Sequence, residues 1–541
     1  MPLGPHLARM LRRSLCNRQI THGMRVLDGA EAEWKALGPD APDAAQLLLL
    51  LAQWVDLGYR DSHLLDGPLA RFDAVRRRQL CTGDYLQFRM AEAFRSLATG
   101  ELDAAIATLE LVLEALRDLP EEGLEAWAHF WKGRAHRKKG EYDASLADLV
   151  RARELAQRDR NDFFRALIQV QESWLLFQKG MSRDALELLA EAETVLQSTD
   201  HYIALGNIES ARGRMVRRSG EYASALGCFA RAIEIYARRD PNHVNVARAL
   251  LNAAYSRRLL ALQLGKRIEN RTLSGKSRRS PSAPSHSTTP EPLRARYRQI
   301  SQQALQDLIH ARQIYELHEH SDGIGNVALN LGFLYLDRGE IDRATPEAAK
   351  AYRIGTELDD HILMARARIL EVTIENAHVE EQTGEDVDIA VHANRAREYS
   401  EEALKLAHGT QHRRLLAGAC IARGMTAAND FFQDWETARR CAAEATGLIG
   451  PGESDHLVED LAQLKSRVVQ ASGINDTLRG WSEGMVGNKT FQQITEEFAE
   501  IVIPKVWMRE GRKISRVAAC LSISPKKVRR ILRSVGSLER G

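Results

Sequence analysis

The sequence predicts an all-α protein in which a long array of helix pairs precedes a small, basic helical domain. Glycines recur every forty residues at Gly100, Gly140, Gly180 and Gly220, each between two stretches with the apolar spacing of a helix. The last fifty residues contain two shorter helical periods and a high density of cations. With 541 residues, the chain is long enough for an extended array and a further domain.

The recurrent glycines open related segments, which indicates an internal repeat. The segments read GELDAA, GEYDAS, GMSRDA and GEYASA, and Gly339 opens GEIDRA. The fifth, ninth and twelfth residues after each glycine are mostly small or apolar, a spacing that lies along one helix face. These positions are Ala105, Leu109, Val112, Ser145, Leu149, Ala152, Ala185, Leu189, Ala192, Ala225, Phe229, Ala232, Ala344, Ala348 and Ala351. We expect Gly140 and Gly220 in turns between antiparallel helices, and Ala225 and Ala232 at helix–helix contacts.

The segment ALNLGFLYLDRGEIDRATPEAAKAY (328–352) resembles the tetratricopeptide repeat (TPR). The resemblance extends, with gaps, over residues 1–470. Repeats of this family have about 34 residues, so a spacing of forty predicts longer helices or loops. The resemblance implies an α-solenoid whose concave inner face binds a peptide or protein. An irregular helical bundle is the alternative architecture.

The same resemblance implies candidate binding residues on the first helix of each pair. TPR arrays often present an asparagine to a peptide backbone from this helix, and Asn330 stands at that position, two residues before Gly332. Asn207 and Asn252 occupy comparable helices of earlier repeats. An amide both donates and accepts hydrogen bonds, which suits an extended peptide. A solvated asparagine on a half-exposed helix is the alternative interpretation.

Two segments interrupt the array. Residues 266–292 are rich in Ser, Pro and Arg and poor in apolar residues, so we expect disorder there. This segment is either an insertion in a surface turn or a partner-binding or modification segment. Residues 379–388 form a second, acidic break. After the array, four glycines within residues 471–489 predict a flexible linker.

The motifs of common enzymes and metal sites do not occur in the sequence. SGKS at 274–277 has Asn270 where a phosphate-binding loop requires glycine. HExxH, GxSxG and CxxC are missing, and the six scattered cysteines suit a reducing cytoplasm. The longest apolar run, residues 47–52, is too short to cross a bilayer. We therefore expect a cytoplasmic, non-enzymatic protein with no membrane, metal or cofactor.

The segment ISRVAACLSISPKKVRRILR (514–533) has the pattern of two short helices joined by a tight turn. Ser524 can cap the second helix, and Pro525 fits its first position. Residues 509–541 carry a net charge of +8 within a chain of net charge +2, so the remainder is mildly acidic. A basic helix fixed by a small apolar core suits the major groove of DNA.

Residues 490–536 resemble the Fis-type helix-turn-helix that ends many bacterial enhancer-binding activators. TFQQITEEFAEIVIPKVW resembles its long first helix, and EGRKISRVAACLSISPKKVRRIL resembles its bihelical unit. Ser522 replaces the usual turn glycine, which predicts some strain. Pro504 is expected to kink or shorten the first helix, predicted over Phe491–Val506. The resemblance implies a bacterial DNA-binding domain over residues 490–541 and a homodimer that pairs through the first helix.

The basic residues of this domain are the DNA-binding candidates. Lys526 and Arg529 are expected to contact bases, and Arg512, Lys513 and Arg516 to contact phosphates. The full set is Arg512, Lys513, Arg516, Ser524, Lys526, Lys527, Arg529, Arg530 and Arg533. The predicted function is a transcriptional regulator that binds double-stranded DNA and whose array binds a peptide or protein in its concave groove. The alternative is a TPR scaffold whose basic tail contacts RNA or acidic partners.

Overall fold

A computed structural model of the chain describes residues 5–41, 43–277, 291–381, 389–450, 452–471, 481, 484, 487 and 489–535. These residues form helices and their connections, and no strand occurs among them. The chain divides into two compact units, Met1–Leu461 and Ala462–Gly541. The fold is therefore all-α, as the sequence predicts.

The first unit begins with six helices, of which the first five contribute buried residues. They are α1 (Pro5–Cys16), α2 (Ile20–Gly29), α3 (Glu31–Ala36), α4 (Ala44–Asp56), α5 (Asp66–Ala70) and α6 (Ala74–Gln79), with a 3₁₀ turn at Ser62–Leu65. The apolar run 47–52 lies in α4, where all of its residues are buried. Across the described parts of the chain, no helix combines the length and apolarity needed to span a bilayer.

A TPR-like α-solenoid follows, with eight helix pairs in the described part of the chain. The pairs are α7 (Thr82–Thr99) with α8 (Leu102–Ala115), α9 (Glu122–Lys139) with α10 (Tyr142–Arg158), α11 (Asp162–Gln178) with α12 (Ser182–Leu196), α13 (Tyr202–Arg218) with α14 (Tyr222–Ala237), α15 (Val244–Ser277) with α16 (Glu291–Leu317), α17 (Ser321–Asp337) with α18 (Ile341–Glu357), α19 (His361–Glu381) with α20 (Ile389–His408), and α21 (Arg413–Ala427) with α22 (Trp435–Leu448). Helix α23 (His456–Ala471) comes after them.

Each recurrent glycine lies in the turn between the two helices of a pair, as predicted. The φ angles of Gly100, Gly140, Gly180 and Gly220 are 92°, 83°, 87° and 80°, and that of Gly339 is 72°. This left-handed conformation favours glycine because glycine has no Cβ. Helices α7 to α14 have 14 to 18 residues, which accounts for the forty-residue spacing.

The fifteen repeat positions predicted to share a helix face are buried. Each is at most 1% exposed, including Ala225 and Ala232. A glycine of the partner helix makes room for one of them, because a Cβ added to Gly133 would lie only 3.0 Å from the side chain of Leu149. Small residues at these positions therefore let the two helices of a pair approach closely.

In the pair α15/α16, the disorder predicted for residues 266–292 does not hold at the two ends of this segment and stays a prediction between them. Helix α15 continues through Gly265 to Ser277, and α16 begins at Glu291, so both ends of this segment are helical. Residues 266–277 contain no proline, so none of them lacks the backbone donor that a helix requires. Residues 278–290 lie outside the described residues.

The other predicted interruptions fall mostly outside the described part of the chain. Of the acidic break, residues 379–381 complete α19 and residues 382–388 are outside the described residues. Of the predicted linker, residue 471 ends α23, and only residues 481, 484, 487 and 489 are described beyond it. The prediction of a flexible linker therefore stays a prediction.

The array curves until its early turns contact its late connections, which the sequence analysis did not predict. The Gln411 backbone N–H donates to the Gly140 carbonyl at 3.1 Å, and the Asp143 N–H donates to the Gln411 side chain at 2.6 Å. The Ser454 N–H likewise donates to the Arg218 carbonyl at 3.1 Å. Asp143 and Gln411 are 268 positions apart in the chain. The first helices of the pairs therefore surround a common inner surface.

Gly220→Ala is expected to destabilise the first unit more than Gly100→Ala. Both glycines have positive φ, so either alanine introduces strain of about 1 kcal/mol. A Cβ on Gly220 would also lie 2.8 Å from the Ser454 carbonyl oxygen, whereas one on Gly100 would meet no described atom within 4 Å. This clash should cost Gly220→Ala about 1–3 kcal/mol more. Urea and thermal unfolding measure the difference, and equal losses would contradict a stabilising role for the closing contact.

The second unit begins at Ala462, within α23, and its described part also contains the helices α24 (Phe491–Arg509), α25 (Ile514–Cys520) and α26 (Pro525–Ser534). Their core consists of Ile503, Val517, Ala518, Val528, Ile531 and Leu532.

Helix α24 runs through Pro504 to Arg509, so this proline does not shorten the helix, and the predicted alternative, a kink, stays a prediction. Proline costs the helix one backbone hydrogen bond. However, Ile503, Val506 and Trp507, on both sides of Pro504, pack against the core of the two short helices. Packing at the carboxyl end of α24 thus offsets the lost bond.

Candidate functional site

Helix α26 has one apolar face and one basic face. Val528, Ile531 and Leu532 are buried against the neighbouring helices. The rest of the helix surface is exposed and carries Lys526, Lys527, Arg529, Arg530 and Arg533. The apolar face therefore fixes the helix, and the basic face is exposed among the described residues.

The turn between α25 and α26 determines the residue at which α26 begins. Ser522 has a φ of 52°, so the residue that replaces the usual glycine adopts a left-handed conformation, which is the predicted strain. The Ser524 hydroxyl oxygen accepts a hydrogen bond from the Lys527 N–H at 3.2 Å, and Pro525 occupies the first helical position. Both capping predictions are confirmed.

The nine candidate residues of this unit differ in their surroundings. Within residues 489–535, seven are exposed and have no carboxylate at ion-pair distance: Arg512, Lys513, Arg516, Lys526, Lys527, Arg529 and Arg533. Arg530 instead pairs with Glu496 of α24 at 2.7 Å. Ser524 serves as the helix cap described above. Arg530 therefore ties α26 to α24 and is less available than the others.

A second concentration of cations lies on the inner surface of the array. We call it the inner basic cluster, and it consists of Arg137 and Lys138 on α9, Arg214 and Arg217 on α13, Arg248 on α15 and Arg366 on α19. Several first helices thus contribute to it, although their residues are far apart in sequence.

Burial and repulsion from neighbouring cations lower the pKa of two members of the cluster. Desolvation, followed by repulsion from Arg134, lowers the pKa of Lys138 to about 8, while attraction to Asp322 on α17 opposes this change. Desolvation, followed by repulsion from Arg217 and Arg137, lowers the pKa of Arg214. A guanidinium remains charged under ordinary conditions, so the cluster is a region of dense positive charge.

Three members of the cluster donate hydrogen bonds to neutral amides rather than to carboxylates. Arg217 donates to Asn252 at 3.1 Å, Arg248 to Asn245 at 2.8 Å and Arg366 to Asn326 at 3.0 Å. These amides orient the guanidinium groups but carry no charge themselves. Desolvation lowers the pKa of Arg366 and of Arg217, and attraction to Asp360 and to Asp455, respectively, partly opposes this change.

The other members have even fewer polar contacts. Arg137 lies over the ring of Trp174 at 5.2 Å, and the Nε atoms of Arg137 and Arg214 are buried with no hydrogen-bond partner in the described part of the chain. The Lys138 ammonium donates to the Leu97 carbonyl at 3.1 Å. Two guanidinium groups on this surface therefore have unused donors.

The three predicted partner-binding asparagines lie on first helices, as expected, but their amides already have contacts. Asn207 accepts a hydrogen bond from the Tyr236 hydroxyl at 2.7 Å, and Asn252 accepts one from Arg217 of the inner basic cluster. Asn330 is only 5% exposed and donates to the Asn326 carbonyl at 2.7 Å. A role for these residues in partner binding stays a prediction, and Asn330 is the least accessible of them.

The sequence analysis missed the inner basic cluster. A signal exists in RGRMVRR (212–218), where arginines recur at helical spacing, but it identifies no partner face. The structure supplies that information by bringing helices from distant repeats together. Among the described residues, no group of three or more His, Cys, Asp or Glu side chains is arranged to hold a metal ion.

No protein-family model and no curated protein matches the chain. Among solved structures, the chain is similar to a Rap protein complexed with Competence and Sporulation Factor, with 10% identity, a TM-score of 0.47 and coverage of 78% of this chain and 100% of that one. It is also similar to the apo form of the quorum sensor NprR from B. thuringiensis, with 12% identity, a TM-score of 0.45 and coverage of 74% of this chain and 97% of that one. An IFIT1 monomeric mutant with Gppp-AAAA has 12% identity and a TM-score of 0.47, with coverage of 86% of this chain and 89% of that one. The helix pairs themselves, rather than these distant likenesses, establish the TPR-like α-solenoid.

Proposed function

We propose that this chain is a DNA-binding transcriptional regulator of the bacterial cytoplasm whose TPR-like array binds a peptide or protein. The observation that carries the proposal is the basic face of α26, held by a small apolar core and free of carboxylate partners within residues 489–535 apart from Glu496. DNA-binding domains use this arrangement to place one helix in the major groove.

The dimensions and chemistry of α26 support contact with double-stranded DNA. Its ten residues span about 15 Å, and the diameter of an α-helix, about 10–12 Å with side chains, fits the width of the major groove. Lys526 and Arg529 lie in its first half, the part of a recognition helix that usually contacts bases. Under this proposal, the phosphates contact three residues around the start of α25: Arg512, Lys513 and Arg516.

The exposed face of α24 supports a homodimer. Phe491 is 84% exposed and Phe498 is 49% exposed, and the partly exposed Ile494 lies between them at helical spacing. Apolar residues at this spacing can pack against the same face of a second copy. Two copies would then present two recognition helices to successive turns of DNA.

The inner surface of the array supports a peptide or protein ligand. Asn252 and Asn326 lie beside the inner basic cluster, where an extended peptide would replace the hydrogen bonds that their amides make to Arg217 and Arg366. These groups come from α15 and α17, so an extended ligand could contact several repeats at once. The chain would thus combine a ligand-binding array with a DNA-binding end.

Removal of residues 488–541 is expected to abolish specific DNA binding, measured by gel shift against genomic fragments. In the full chain, Arg529→Ala should weaken binding to the selected fragment by about 1–3 kcal/mol and relax its sequence preference. Lys513→Ala should weaken binding to all fragments and lower the salt slope by about one. Arg183→Ala, on the array, is the control. Unchanged affinity after truncation would refute the proposal, and a preference for RNA over duplex DNA would favour the scaffold alternative.

A further inference from the structure

We infer that a pocket beside the connection of α1 and α2 binds the phosphate group of a small hydroxylated molecule, such as a sugar phosphate. The pocket lies between residues 17–25 and the connection of α12 and α13 at residues 198–200, and its volume is about 630 Å³. Pockets of this size accommodate small ligands. The inference goes beyond the proposed function, because it involves neither the basic face of α26 nor the inner basic cluster.

The pocket is at a different place on the array from the inner basic cluster. The guanidinium of Arg18, which lines the pocket, lies over the rings of Trp127 and Phe164 at 6.0 and 5.7 Å. These two aromatic residues are in the first halves of α9 and α11. Arg137 of the cluster follows Trp127 by ten positions on α9, which is about 15 Å along the helix. The pocket is therefore at the edge of the array where one pair connects to the next.

The first argument for a bound anion is the burial of Arg18. This residue is only 1% exposed, and its Nε and Nη1 atoms have no hydrogen-bond partner in the described part of the chain. Desolvation lowers the pKa of Arg18 to about 10, and attraction to Cys16 and Asp56 partly opposes this change. Asp56 itself pairs with Arg134 at 2.6 Å. An anion in the pocket would therefore stabilise a buried cation that has few polar contacts of its own.

The second argument is that Arg18 is held in place without using its N–H groups. Trp127 and Phe164 stack on each other with their ring centroids 4.4 Å apart, and together they form an aromatic surface beneath the guanidinium. Such stacking stabilises the cation and fixes its plane. Arg25, an exposed residue of α2, lines the same pocket and adds a second positive charge. A phosphate entering the pocket would thus meet two guanidinium groups.

The third argument concerns the rest of the ligand. Asp200 accepts hydrogen bonds from the Ile20 and Thr21 N–H groups at 2.6 and 2.8 Å, at the start of α2. Its carboxylate also lines the pocket and would repel a second phosphate. Neutral hydroxyl groups can instead donate hydrogen bonds to it. The pocket therefore suits one phosphate on a hydroxylated body better than a polyphosphate or a nucleic acid.

The test titrates the full chain with glucose 6-phosphate, glucose and inorganic phosphate in a calorimeter. We expect glucose 6-phosphate to bind at least about tenfold more tightly than the other two probes, because only it contacts both the cations and Asp200. Arg18→Met removes the charge but keeps an unbranched side chain over the rings, and it should weaken binding about tenfold or more. Arg353→Met removes a charge from an exposed position on α18 and should leave Kd unchanged.

A second variant keeps the test decisive if Arg18→Met does not fold, which circular dichroism would reveal. Arg25→Met changes an exposed residue of the pocket and leaves the buried rings intact. It should weaken the binding of glucose 6-phosphate about threefold or more while the helical signal stays that of the parent.

Hydrogen exchange of the full chain identifies where the ligand binds. Saturating glucose 6-phosphate should slow the exchange of amides in residues 17–22 and 198–201, because a ligand in the pocket joins these two connections. Amides of α26 should exchange as they do without ligand. Arg214→Met, in the inner basic cluster, and Arg529→Met, on α26, should bind the ligand with the Kd of the parent.

Four results would overturn the inference. The first is that glucose 6-phosphate does not bind, and the second is that inorganic phosphate binds equally well, which would make the pocket a site for an adventitious ion only. The third is an unchanged Kd in both Arg18→Met and Arg25→Met. The fourth is loss of binding on Arg214→Met or Arg529→Met without protection of residues 17–22, which would place the phosphate in the inner basic cluster or the second unit.

Discussion

Asp337→Ala is expected to lower the free energy of unfolding of the array by about 3–5 kcal/mol, because it leaves a buried guanidinium without its carboxylate. Arg258 on α15 donates to both oxygens of Asp337 at the end of α17, at 2.5 and 3.0 Å. The two side chains are only 11% and 14% exposed. Burial opposes the charge of Arg258, but attraction to Asp337 outweighs it, so its pKa is raised.

The double substitution Arg258→Met with Asp337→Ala separates the ion pair from the packing around it. Removing both charges should recover most of the stability, because the main cost of the single substitution is the unpaired cation. Breaking the exposed pair of Arg183 and Glu187 by Glu187→Ala should cost little, since water screens both groups. Urea unfolding followed by circular dichroism measures all three variants. A loss for Asp337→Ala no larger than that for Glu187→Ala would show that this pair does not hold α15 and α17 together.

The local features of the array could be predicted from the sequence because they depend on nearby residues. The turn at Gly220 could be predicted from the helical periods on either side of it, and the helix contact of Ala225 from its spacing to that glycine. Both predictions need only about forty residues of sequence. By contrast, the pairing of Arg258 with Asp337 joins neighbouring pairs, and the contact of Gly140 with Gln411 joins distant ones. Such contacts depend on how much each pair rotates relative to the last, and periodicity does not specify this rotation.

The same limit explains why the asparagines were predicted and the inner basic cluster was not. Asn330 stands out because it precedes a motif glycine, a local relation. Arg137, Arg214 and Arg248 look individually like solvated arginines, and Lys138 like a solvated lysine. They become a candidate site only when curvature brings α9, α13 and α15 around one surface. In the second unit, Ser524 could be predicted as a cap from its position before Pro525, whereas the pair of Arg530 and Glu496 needed the angle between α26 and α24.

Val528→Asp is expected to unfold the second unit and to remove DNA binding while the array stays folded. Val528 is fully buried in a core of six residues. A core of this size contributes no more than about 3–5 kcal/mol of net stability. An unpaired buried carboxylate costs several kcal/mol or more, so the substitution should exceed the stability available. Because the chain forms two compact units, helices such as α9 and α13 need not unfold with this core.

Hydrogen exchange resolved by mass spectrometry distinguishes the two units in the full chain. Amides of α24 to α26 should exchange at open-chain rates in Val528→Asp, whereas amides of α9 and α13 should keep the protection of the parent. Val535→Asp is the matched control, because it makes the same change of charge at the partly exposed end of α26. That variant should keep its protected amides, and its affinity for DNA should fall only modestly, because one negative charge has been added. If Val528→Asp kept its protected amides, the buried position of Val528 would be wrong. If both variants lost DNA affinity equally with protection intact, charge rather than the fold of this unit would govern binding.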